Sequence, residues 1–206
     1  MKIVIVSDTH GMHDEIDIPD GDVLIHAGDF TQNGKLKQVV RFNEFLGKLN
    51  HRHKLVIAGN HEYCFEKAPL ESQNLLTNCT YLQDSTAVIE GVKFYGSPWQ
   101  PWFLDWAFNL ERGEEIRDKW RLIDCDTDIL ITHGPPEGHG DKIYSGEAVG
   151  CEELIKVVES IKPKYHIFGH IHEGYGVTQN DDTKFINAST CDLHYNPVNE
   201  PIVIEL

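Results

Sequence analysis

No apolar run in these 206 residues approaches the roughly 20 that a bilayer-spanning helix needs, which excludes a conventional membrane helix. Basic residues are scarce: 18 Lys plus Arg stand against 33 Asp plus Glu, giving a net charge of -15. Such a surface repels phosphate backbones and anionic headgroups, so nucleic acid and membranes are not expected partners. Cysteines are few. Cys64, Cys79, Cys125, Cys151 and Cys191 are odd in number, widely spaced and form no Cys-x-x-Cys, so they read as reduced and mostly buried thiols. Repeats, linkers and low-complexity tracts are absent as well. Only five residues separate Met1 from Ser7 and they already read as a strand, so no signal peptide is expected and the expected location is cytoplasmic.

At 23.5 kDa the chain is long enough for one well-filled core, and the expectation is a single domain over residues 1–206. Runs rich in Val, Ile and Leu predict buried strands over 2–6, 23–27 and 55–58. Between the last two, Leu36, Val39, Val40, Leu46 and Leu49 recur at helical spacing over 35–50. A strand, helix, strand order favours parallel pairing with the helix packed on the sheet. A short helix is expected after Pro69, and segments 86–90 and 92–97 flank Gly91 like a hairpin. Helices over 114–123 and 151–161, the second ending before Pro163, alternate with strands over 129–132 and 165–168. Closing strands are expected over 184–187 and 202–206. The class is α/β with mixed sheets.

Five short blocks punctuate these elements: Asp8-Thr9-His10, Gly28-Asp29, Gly59-Asn60-His61-Glu62, Thr132-His133 and Phe168-Gly169-His170-Ile171-His172. In extended chain, side chains at i and i+2 share a face roughly 6–7 Å apart, so Asp8 with His10, and His170 with His172, can converge. With His61 and Glu62 set aside, the blocks offer two carboxylates, one amide oxygen and four imidazoles, a set that suits borderline divalent cations. Two ions fit better than one. Metals about 3.5–4 Å apart need a shared ligand, and a carboxylate is the natural bridge. Asp29 is assigned that place, with Asp8, His10 and His172 completing one site and Asn60, His133 and His170 the other. His61 follows Asn60 directly, so its side chain is expected to face substrate and protonate the leaving oxygen. Asn60, His61 and His139, the last in a glycine-rich loop after His133, are the expected substrate contacts. His26 falls inside a strand and is expected in the core.

The ordered blocks D-x-H, G-D, G-N-H-E, H and G-H-x-H resemble the calcineurin-like metallophosphoesterases, over most of the chain from Asp8 to His172. The phrasing Ser7-Asp8-Thr9-His10-Gly11, His133-Gly134-Pro135-Pro136 and His170-Ile171-His172-Glu173-Gly174 is similar, more narrowly, to small members described as cyclic nucleotide phosphodiesterases. The resemblance implies two mixed β-sheets packed as a sandwich between helices, with metals at the strand ends. It also implies a pair of Mn²⁺ ions, with Fe, Zn or Ni as alternatives. One departure matters. Where the protein phosphatase branch reads G-D-x-x-D-R-G, this chain has Gly28-Asp29-Phe30-Thr31-Gln32-Asn33-Gly34. The absent Asp would have oriented the equivalent of His61, and the absent Arg would have gripped a dianionic phosphate. Monoesters of phosphoproteins thus become poorer candidates. Glu62 is left as a candidate to orient His61.

Trp99, Trp102 and Trp106 crowd a loop broken by two prolines, which suits either stacking on a nucleobase or packing as a satellite core. The reading favoured is a metal-dependent phosphodiesterase for a small diester such as a cyclic nucleotide. A nuclease, a phosphomonoesterase and a non-catalytic metal-binding scaffold are its rivals. The acidic balance counts against the nuclease, and the completeness of the ligand set counts against the scaffold. No residue pattern specifies an oligomeric state.

Overall fold

Four of the five residues of strand β1 (Lys2–Val6) are buried, odd and even positions alike, so the strand needs a packed layer on each face. In the computed structural model, which describes residues 1–206, it has both. Ile3 and Ile5 meet a second sheet, while Val4 and Val6 meet a helix.

The first half of the chain runs β1, β2 (Val23–His26), α1 (Leu36–Lys48), β3 (His53–Val56), α2 (Tyr63–Lys67), α3 (Pro69–Asn74), β4 (Thr80–Tyr81), β5 (Ser85–Ile89) and β6 (Val92–Ser97). The second half continues with β7 (Gln100–Pro101), β8 (Asn109–Leu110), α4 (Glu114–Trp120), β9 (Ile129–Thr132), α5 (Glu152–Ile161), β10 (Tyr165–Phe168), β11 (Gly176–Gln179), β12 (Lys184–Asn187) and β13 (Ile202–Glu205). One sheet has the order β13-β1-β2-β3-β4 and the other β11-β12-β10-β9-β6-β5, with β7 and β8 as a separate pair. Within the first sheet β1 to β4 are parallel and only the edge strand β13 is antiparallel. Within the second, β6, β9, β10 and β12 are parallel between antiparallel edges.

The core follows from this layering. Ile3, Ile5, Val23, Ile25 and Leu55 face Phe94, Ile129, Ile131, Ile167 and Ile186 between the sheets. Val39, Phe42 and Leu46 of α1 cover the outside of one sheet, and Ile116, Trp120, Leu154 and Val158 cover the other. The expected sandwich flanked by helices is therefore present. At one end Ser7 N–H donates to the Ala188 carbonyl (2.9 Å), joining the segment after β1 to the segment after β12. The carboxyl ends of both parallel sets thus open on the same end, where open α/β sheets carry their ligands.

Several expectations shift. Val40 is 39% exposed, and the buried stripe of α1 runs through Val39, Phe42, Phe45 and Leu46 at spacings of three and four. Strand β3 starts two residues before the apolar run and ends at Val56, so Ile57 and Ala58 already lead into the loop. Helix α2 and strand β11 were not expected: α2 has only five residues, and three of the four in β11 are exposed. The hairpin turn behaves as predicted, with positive φ at Glu90 (51°) and Gly91 (84°) matching the twist of its strands. All five cysteines are free, three of them buried. No helix is long and apolar enough to cross a membrane.

Candidate metal centre

Asp8 and His10 do converge, but not through extended chain, whereas His170 and His172 turn to different clusters of ligand-type atoms. Asp8 (φ 53°), His10 (φ 44°), Asp29 (φ 56°) and His170 (φ 68°) all adopt left-handed backbone immediately beyond strands β1, β2 and β10. That region costs non-glycine residues on the order of 1–3 kcal/mol each and is held only where surrounding structure imposes it. Close packing does so here. A Cβ on Gly28, itself at φ 99°, would stand 2.6 Å from His133 Nδ1, and one on Gly169 would run into the side chains of Asp8 and Ser7.

Three overlapping groups result, each with its ligand-type atoms within 4.8 Å of one another: Asp8, His10 and His172; His10, Asp29 and His61; Asp29, His133 and His170. Asp29 Oδ2 lies 3.4 Å from His133 Nε2 and 3.9 Å from His10 Nε2, between the first group and the third. Asn60 Oδ1 stands 2.8 Å from His133 Nε2. The rings are aimed by their other nitrogens: His133 Nδ1–H donates to the Ala27 carbonyl (3.0 Å) and His172 Nδ1–H to that of Asp192 (2.8 Å). Each Nε2 is thereby turned inward, the usual way a protein orients an imidazole toward a cation. Asp8 is fixed by the His170 backbone N–H (2.9 Å) and the Ser189 hydroxyl (2.9 Å).

The charges are strongly coupled. Burial opposes ionisation of Asp8 and Asp29, yet His172 beside the one and His133 beside the other hold both carboxyls below their ordinary values. Conversely, burial disfavours charge on His133 and His172, but Asp29 and Asp8 respectively raise them to about 9. His10 and His170, where burial dominates, fall to about 4.

His61 is oriented by a group the sequence did not suggest. Its Nδ1–H donates to the backbone carbonyl of Gln32 (2.7 Å), at the very position where the phosphatase branch carries its aspartate. The ring packs on Trp106 (4.4 Å between centroids) and against the edge of His10 (4.5 Å). Its Nε2 lies 3.8 Å from Asp29 Oδ2, near enough for the ligand role as well as the acid role. Glu62 does something else. Its buried carboxyl accepts from the N–H of Asp29 (2.8 Å), Thr31 (2.8 Å) and Gly59 (2.7 Å) and from the Thr31 hydroxyl (2.8 Å), locking two candidate-ligand loops together. Burial and then the Asp29 charge push it up to about 8, against the pull of those donors.

A cleft of about 400 Å³ opens over these groups, lined as well by Trp102, Phe103, Trp106, Leu193 and Tyr195. Of the three loop tryptophans Trp99 alone is outside it, donating to Asp84 (2.9 Å) beneath the Lys119 ammonium, which is satellite packing. His139 is also outside: it stacks on Phe185 (3.6 Å) and bonds the Thr178 hydroxyl, so it does not reach the cleft as expected. His26 packs on Phe42 as a core residue. Several lining residues were missed, Arg112, Leu193 and Tyr195 among them. The Tyr195 ring lies 4.6 Å from His10, but a single tyrosine in a polar loop carries no spacing signal.

The chain belongs to the calcineurin-like phosphoesterases, a family of metal-dependent hydrolases, whose sequence model matches residues 1–174. It is 48% identical over 230 residues to metallophosphoesterase domain-containing protein 1 of Homo sapiens, covering 100% of this chain and 71% of that protein. It is 43% identical over 217 residues to UPF0046 protein K07C11.7 of Caenorhabditis elegans, covering 98% and 74%. Among solved structures, TT1561 of Thermus thermophilus aligns with a TM-score of 0.60 at 13% identity, over 91% of this chain and 88% of that one. A novel archaeal phosphodiesterase aligns at 0.51 and 19%, over 99% and 100%. At those identities the likeness is one of fold.

Proposed function

We propose that the protein hydrolyses phosphodiester bonds in small substrates, cyclic nucleotides among them, using two divalent ions with Mn²⁺ as the first choice. Asp8, His10 and His172 would hold one ion and Asn60, His133 and His170 the other, with Asp29 as the residue shared by the two sites. The observation that carries this reading is the position of Asp29, whose Oδ2 faces His133 Nε2 at 3.4 Å and His10 Nε2 at 3.9 Å. The donors fit: all are nitrogen or oxygen, gathered in a largely buried pocket without thiolates, which suits Mn²⁺ and its neighbours. The chemistry that a bound pair would supply there is acidification of water and polarisation of the phosphoryl group.

The chain's own groups do the rest. His61 presents Nε2 to the cleft while its Nδ1–H is held by the Gln32 carbonyl. The acid is therefore the doubly protonated ring, which gives its Nε2 proton to the departing alcohol oxygen and is left as the neutral Nδ1–H form. Asn60 and His61 contact the substrate. Diesters are favoured over monoesters because Asn33 stands where an arginine would grip a dianion, and the cleft has a single Arg or Lys, Arg112. The test is protein stripped with chelator, reloaded with Mn²⁺ and compared on bis-p-nitrophenyl and p-nitrophenyl phosphate. Activity should vanish on stripping, return with Mn²⁺, and show a higher kcat/KM on the diester. Undiminished activity after verified metal removal, or a clear monoester preference, would contradict the proposal.

A further inference from the structure

Building on the phosphodiester reading, we propose that the cleft selects diesters whose second esterifying group is large, apolar and uncharged, seated against Trp102, Phe103 and Leu193. These side chains are 56%, 55% and 51% exposed, yet they line the same cleft as Asp29 and His172. A phosphoryl group held at the candidate metal rim therefore directs its remaining ester group along them. Apolar surface left this open gains free energy when an apolar group covers it.

The loop presents these rings on a fixed backbone. Trp102 N–H donates to the Leu110 carbonyl (2.8 Å) and Gln100 N–H to that of Phe108 (3.1 Å), closing the β7–β8 pair. Asn109 Nδ2 donates to the carbonyls of Phe103 (3.1 Å) and Leu104 (3.1 Å), pinning the loop tip from within. Trp106 is not a free platform, because His61 (4.4 Å) and Tyr63 (5.8 Å) already pack on it. The exposed wall is thus Trp102 and Phe103, with Leu193 from the loop after β12.

Charge narrows the class further. Arg112, the single Arg or Lys along the cleft, has both terminal nitrogens donating to the carbonyls of Gly150 and Val149 (each 2.8 Å). Glu173 adds a carboxylate to the same lining. A substituent carrying further phosphates finds no free cation there, whereas an uncharged aryl group, nucleobase or alkyl chain meets matching surface.

The experiment keeps the leaving group constant and varies the other ester: methyl, hexyl and benzyl p-nitrophenyl phosphates, with Mn²⁺ present. All three alcohols are primary, so the comparison reads the wall. Each methylene fully removed from water is worth about fourfold, so the expected kcat/KM for the hexyl or benzyl ester exceeds that for methyl by about tenfold or more. Trp102→Ser combined with Phe103→Ser should bring that ratio close to one, and both positions are exposed enough for the fold to survive the change. Benzyl ahead of hexyl identifies a stacked ring, hexyl ahead of benzyl a chain, and either supports the proposal. Equal kcat/KM for all three in the unaltered protein, or a ratio untouched by the double substitution, overturns it. No turnover of any of the three overturns the phosphodiester reading itself, and this proposal with it.

Discussion

The two walls of the cleft are built on opposite principles. The candidate metal rim consists of buried and half-buried polar residues at the ends of parallel strands, several in left-handed backbone, with Asp8, His133 and His172 held by hydrogen bonds from neighbouring segments. The apolar wall consists of exposed apolar side chains on loops outside both main sheets. Geometry that must hold to fractions of an ångström sits where two sheets converge, and surface that only has to match a shape and polarity sits where loops can vary.

That contrast implies a graded response to substitution. The largest effect is expected at Asp29, where Asn keeps the shape and the bond from His61 N–H (2.8 Å) but removes the shared charge. Asp29→Asn should lower kcat by about 10³-fold or more, and more than His172→Ala, which touches one proposed ion. His61→Ala comes next. It should retain both ions and lose about 10²-fold on a cyclic nucleotide, whose ribose oxygen needs a proton to leave. The loss should be much smaller on bis-p-nitrophenyl phosphate. An equal loss on the two substrates points instead to charge stabilisation by His61, and loss of an ion makes it a ligand. Glu62→Gln should cost roughly 10- to 100-fold in metal affinity, since an amide NH₂ placed among four donors pushes the Asp29 and Gly59 loops apart. Retained affinity in that variant would make Glu62 a bystander.

The smallest effect concerns stability and pH in chelator-treated protein. His133 and His172, raised to about 9 in the fold, bind more protons folded than unfolded between pH 6.5 and 9. Their contribution is complete below 6.5 and is lost as pH rises through 9. His10 and His170, lowered to about 4, act oppositely, so stability also falls as pH drops from 6.5 toward 4. The Tm should peak near pH 6.5, each kcal/mol counting for roughly 2–4 °C in a chain of this size. Reloading with Mn²⁺ should remove the alkaline decline, because cations then replace the protons. A decline that persists unchanged with metal would place the ions elsewhere.

How much was legible in the sequence follows the same division. Strands saturated with Val and Ile, each ending in Asp, His or Asn, made the rim visible because burial on both faces leaves no alternation to confuse the reading. The backbone at those ends was not visible, although Asp and His are among the residues that tolerate left-handed φ. Glu62 and Gln32 were misread because one works through backbone amides and the other through a carbonyl, neither of which side-chain chemistry encodes. The apolar wall was half legible. The tryptophan cluster marked its loop, but Arg112 just beyond it carried no pattern of its own, and Leu193 and Tyr195 arrive from a loop remote in sequence that only the tertiary fold brings there. His139 drew attention through its glycine-rich setting, yet its ring found Phe185.

The central claim, two divalent ions sharing Asp29, is tested most directly by counting ions. Chelator-stripped protein titrated with Mn²⁺ by calorimetry, with metal content checked by elemental analysis, should bind two equivalents per chain, while Asp29→Asn binds at most one tightly. A single equivalent in the unaltered protein, or two bound undiminished in Asp29→Asn, would contradict the account.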